Sequence, residues 1–95
     1  MSGLKKQEEI GRIYRTQSVN RERLAFINSE LSGVSVLLKK ASSQLECLLA
    51  HERSDINAAL SQIDINRVVQ LIAAREKLMR DIDAANEQLK RLGAP

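Results

Sequence analysis

The sequence predicts an all-α chain, a long antiparallel helical hairpin of coiled-coil type that assembles into a multi-helix bundle. Three observations carry this. Proline occurs only as Pro95 and glycine only at positions 3, 11, 33 and 93, so the interior holds almost no residue that forces a break. Aromatic side chains make up 2% of the 95 residues while Leu, Ile, Ala, Arg, Glu and Gln dominate, a composition of long helices rather than of sandwiches or barrels. Apolar residues then recur at alternating steps of three and four, the period of a helix with one buried seam.

The first seam runs Ile10, Ile13, Gln17, Asn20, Leu24, Ile27, Leu31, Val34, Leu38, Ala41, Leu45, Leu48, and ten of these twelve positions are apolar. It predicts arm one over about 5–50. The pattern falters at His51, Glu52, Arg53, Ser54 and Asp55, all polar, and a second seam follows through Val68, Leu71, Arg75, Leu78, Ile82, Ala85, Leu89 and Leu92. One main reversal is therefore expected within 51–66, with arm two reaching about 92 and the whole of 1–95 forming a single helical domain. Two start signals compete there. Ser54 or Asp55 suits the cap of a helix from Ile56, and Ser61 with Asp64 resembles a capping box ahead of Ile65. Lys90 and Arg91 in the last turn, then Gly93 and Pro95, make an orderly helix stop.

Two arms alone leave apolar surface over. Ile65, Ile72 and Met79 widen the second stripe beyond a two-stranded seam, and Leu31 to Leu38 carries no charge, with Ser and Gly where a solvated coil would place Glu and Lys. Phe26, Leu37 and Leu49 add to it. The expected helix-packing residues are Leu24, Ile27, Leu31, Val34, Leu38, Leu45 and Leu48 on arm one, and Val68, Leu71, Ile72, Arg75, Leu78, Ile82 and Leu89 on arm two. Polar residues at core positions, Gln17, Asn20 and Arg75, weaken a seam while fixing its register or partner; the first two also suit a frayed, exposed end. The expected partners are a second copy, most simply in a homodimeric four-helix bundle, and another helical protein.

The formal charge is +3, and its excess lies in the first half. Lys5, Lys6, Arg12, Arg15, Arg21 and Arg23 form a candidate basic patch for nucleic-acid phosphates, interrupted by Glu8, Glu9 and Glu22 and with Tyr14 as the sole neighbouring aromatic. The plainer expectation for it is a solvated helix face. A single cysteine, Cys47, excludes an intramolecular disulfide and suits a reducing compartment, and neither a secretory leader nor a membrane span is expected, so the cytoplasm is the expected location. No phosphate loop, HExxH, Cys-x-x-Cys pair or nucleophile elbow occurs. His51 and Asp55 share a spacing that suits two metal ligands, but two ligands make no site, and Cys47 reads as a buried or half-buried thiol rather than a reactive one. Neither enzyme activity nor a cofactor or metal is expected.

The residues Leu48-Leu49 with Glu52, then Ala59-Leu60, Asp64, Leu71 and Arg75-Glu76-Lys77-Leu78, resemble the helical-hairpin pattern of FlgN-type flagellar export chaperones. The resemblance implies capture of an amphipathic client helix. From the residues themselves the expected function is that of a non-enzymatic interaction protein, an adaptor, scaffold or small chaperone working by helix packing; nucleic-acid binding through the basic arm is the alternative.

Overall fold

The computed structural model describes residues 2–94, and among them there is no strand. Helix α1 spans Ser2–Leu49, α2 spans Ile56–Ser61 and α3 spans Ile65–Arg91. At about 1.5 Å per residue a helix of 48 residues is about 72 Å long. The molecule measures 75 × 17 × 15 Å, so α1 runs its full length.

Both other helices lie on α1, and α3 lies in reversed sense. Gln88 donates to Glu9, Gln17 reaches Ile82 and Asn86, Arg75 reaches Asn28, and Arg67 pairs with Glu30, so residue numbers fall on one helix as they rise on the other. The buried apolar residues are Ile13, Ile27 and Ala41 from α1, Ala59 from α2, and Leu71, Leu78, Ile82 and Leu89 from α3. Ile27, Leu71 and Leu78 form the central cluster, with Leu24 and Leu31 packed against it.

The link between α1 and α3 leaves helix twice, where one main reversal was expected. Glu52 N–H donates to Cys47 O (2.9 Å) and His51 N–H to Leu48 O (3.1 Å), with His51 at φ 60. That is a Schellman ending with a left-handed C′ residue. Ser54 Oγ then donates to Gln44 O (2.7 Å) and accepts from Ile56 N–H (3.2 Å), and Gln44 Oε1 accepts from Asp55 N–H (2.8 Å). The Gln44 side chain and carbonyl thus clasp the loop to α1. Asp55 precedes α2 without a side-chain cap, whereas Asp64 accepts from Arg67 N–H (3.1 Å) and caps α3. Ser61 does not join that cap; its hydroxyl donates back to Ala58 O. Ile63 and Val68, one on each side of the cap, are both half-buried and line one crevice with Val34, Leu37 and Leu71, the arrangement of a hydrophobic staple.

The far end of α3 closes the same way as α1. Ala94 N–H donates to Leu89 O (2.9 Å) and Gly93 N–H to Lys90 O (3.1 Å), with Gly93 at φ 73. A Cβ on Gly93 would sit 3.9 Å from Lys6 Nζ, so Lys6 brings a cation to the negative end of the α3 dipole.

Candidate helix-docking face

The expected seam coincides with the buried one as far as Val34 and then departs from it. Ile27, Leu71, Leu78, Ile82 and Leu89 are buried, and Leu24, Leu31, Val34, Val68 and Arg75 are half-buried. Leu38, Leu45 and Leu48, which continue the heptad, are 50%, 46% and 50% exposed; Leu37, Gln44 and Cys47 are half-buried in their stead, around buried Ala41. Two causes act together. A straight helix at 3.6 residues per turn drifts about 20° per heptad from a 3.5 repeat. Beyond Val34 the partner also changes from α3 to α2, whose one buried residue, Ala59, is small and admits close approach. The heptad leucines rotate out of the intramolecular contact.

Ile72 likewise stands outside it. At 100° per residue it lies a full step from Leu71 and is 45% exposed, with Ile65 at 63% and Val69 at 59% on the same flank. Arg75 fixes which flank of α1 this adjoins. Its Nε donates to Asn28 Oδ1 (2.9 Å), and Asn28 shares its side of α1 with Leu24, Leu31 and Ser35. Following that side along α1 leads through Leu31, Leu38, Leu45 and Leu49, the last 73% exposed. One flank of the two-helix ribbon therefore carries a leucine stripe from α1 beside Ile65 and Ile72 from α3. Lys39 borders it, and Arg75, already bonded within the chain, lies in it.

The polar seam residues divide by burial. Gln17 is 2% exposed, so it is no frayed end; its Nε2 donates to Ile82 O (3.2 Å) and to Asn86 Oδ1 (2.7 Å). Its buried Oε1 has no hydrogen-bond partner among the described residues, a cost on the order of 1–3 kcal/mol. Asn20 is half-buried. The Gln17 amide ties one register of α3 on α1.

The six basic residues are all exposed; at 100° per residue Lys5, Arg12, Arg15 and Arg23 lie within about 80° on one side of α1, and Arg21 lies on the other. Arg21 lines a groove with Tyr14, Gln17 and Lys90 on one side of the ribbon, whereas Arg23 lines one with Val19, Phe26 and Lys77, and Arg12 one with Glu9 and Gln88. Arg21 and Arg23 stand about 200° apart around α1. The exposed Arg67–Glu30 pair at 3.9 Å adds little stability. His51 and Asp55 share no helical face, because α1 ends at Leu49. Cys47 is a half-buried free thiol. No group of three His, Cys, Asp or Glu side chains suited to a metal occurs among the described residues, and no helix is long and apolar enough to cross a membrane.

Sequence reasoning missed Gln44, which binds the loop, and Ile63, which plugs the crevice. The one signal for either was Ser54, read as a cap and used as a bridge.

Compared with known proteins, the chain matches no family model, no curated protein and no solved structure. The likeness to FlgN-type export chaperones rests on the residues given above.

Proposed function

We propose that the chain is a non-enzymatic helical interaction protein whose working unit is the antiparallel hairpin and whose working surface is the flank carrying Leu31, Leu38, Leu45 and Leu49 beside Ile65 and Ile72. The role of adaptor, scaffold or small chaperone follows from docking that flank on another helix. The observation that carries the reading is that these side chains repeat at helical spacing yet stay about half exposed or more from Leu38 onward. A row of apolar residues at seam spacing suits knobs-into-holes packing, and isolated surface leucines do not form such rows.

Substitution separates this surface from the internal seam. In a dilute solution that sediments as monomer, Leu38→Asp and Ile72→Asp are expected to leave helix content intact and stability within about 0.5 kcal/mol, since each carboxylate stays in water. Leu71→Asp, at a site 7% exposed, is expected to unfold the chain by burying a charge. The same dilute wild type is expected to bind an apolar fluorescent dye, and the Leu38→Asp/Ile72→Asp pair to lose that binding. Equal destabilisation by Leu38→Asp and Leu71→Asp, or dye binding that ignores the pair, would remove the docking face.

A further inference from the structure

We infer that α2 is a movable strap: it lifts from α1 as a unit while α1 and α3 stay packed, and so sets how much of an apolar stripe on α1 meets solvent. Ile63 shares a crevice with Val34 and Leu37, and Ser54 bonds to Gln44, so α2 lies over 37–44. The residues buried most deeply between those two ends are Ala59 of α2, 3% exposed, and Ala41 of α1, 6% exposed.

What α2 covers is part of a larger surface. At 100° per residue, Leu37, Leu48, Ala41, Leu45, Leu38 and Leu49 fall in a sector of α1 about 120° wide, and no polar residue of 37–49 falls inside it. That is the width of a stripe facing the core of a bundle. The strap lies on the edge formed by Leu37 and Ala41, and Leu38, Leu45 and Leu49 stand about half exposed or more. With α2 lifted, the whole stripe is open.

The two packed pairs are held unequally. Between α1 and α3 stand the central cluster of Ile27, Leu71 and Leu78 and the hydrogen bonds of Gln17 and Arg75. The strap has six residues, one of them buried, and no side-chain cap at Asp55. Its fastening comes from the loop ahead of it, where Ser54 Oγ donates to Gln44 O and Asp55 N–H to Gln44 Oε1. A helix so short does not persist unpacked, and elements with few buried contacts open at lower free energy than a core. Both neighbours keep their ends when it leaves. The His51 and Glu52 N–H groups close α1 and the Asp64 carboxylate caps α3, and none of these bonds uses a residue of α2.

Thiol labelling in a Cys47→Ser background reads the opening, because a deeply buried thiol reacts only when its cover lifts. Ala59→Cys and Ala41→Cys place a thiol on each side of the α1–α2 contact, and Ile27→Cys places one in the α1–α3 cluster. The first two are expected to label at one common rate, at least about a hundredfold faster than the third. Ser54→Ala removes the bonds to Gln44 O and from Ile56 N–H, and is expected to raise both fast rates about tenfold while leaving the third unchanged. Hydrogen exchange of the unsubstituted chain reads the same event without a new side chain: the amides of Ala59, Gln62 and Ile63 are expected to exchange well ahead of those of Leu71 and Leu78. Thiols at Ala59 and Ala41 as slow as the one at Ile27, or α2 amides that exchange together with those of α3, would mean that α2 leaves only when the whole chain opens. Unequal rates at Ala59 and Ala41 would mean that it does not move as a unit. Any of these results, or Ser54→Ala acting on all three thiols or on none, overturns the strap.

Discussion

His51 stands at φ 60, where a side chain meets its own backbone and a non-glycine residue pays on the order of 1 kcal/mol. It holds the C′ position of the α1 Schellman ending, the place that Gly93 holds on α3 at φ 73. His51→Gly is therefore expected to stabilise the chain by about 1 kcal/mol, which for a chain of this size raises Tm by about 4–8 °C. Thermal unfolding followed by circular dichroism reads it. An unchanged or lower Tm would mean that the imidazole itself holds the turn. The pair also marks what a sequence gives away: Gly93 announces its stop by chemistry, whereas His51 does so only through the backbone carbonyls of Cys47 and Leu48 that its turn satisfies. Gln17 was ambiguous between a buried specifier and a frayed end for the same reason. Its role is set by Ile82 and Asn86, which stand far along the chain.

At the scale of elements, the second arm is two helices because a helix begins at each of the two competing start positions, Ile56 and Ile65. Six residues of α2 make barely more than one turn, too short to persist without packing, and Ala59 buried at the face of α2 ties it to α1. The α3 start is stronger, with the Asp64 cap on Arg67 N–H and the Ile63 and Val68 staple. Asp64→Ala is expected to cost about 1 kcal/mol and Asp55→Ala close to nothing, since Asp55 makes no side-chain cap. Urea unfolding of the two variants decides it, and equal losses would contradict the assignment of Asp64 as the working cap. The helical period of both arms was legible from spacing alone. The break at 62–64 was not, because capping residues state where a helix is permitted to begin and leave its tertiary partner unstated.

At the scale of the molecule, burial follows partner geometry rather than the heptad. The heptad names Leu38, Leu45 and Leu48 as seam residues, and Leu37, Gln44 and Cys47 are half-buried in their place, so these leucines stand exposed. Their apolar character was legible and their direction was not, since direction depends on where α3 begins and how α2 lies. All of this requires α3 to fold back along α1. The direct measurement is a pulsed dipolar distance between spin labels at Glu9→Cys and Gln88→Cys in a Cys47→Ser background, diluted with unlabelled chain so that only intramolecular pairs are read. Glu9 and Gln88 are joined by a 3.0 Å hydrogen bond although 79 positions apart, so a label separation on the order of 10–20 Å, that of neighbouring packed helices, is expected. One continuous rod would put those positions about 120 Å apart, and the absence of any short distance would contradict the reversed packing of α3 on α1.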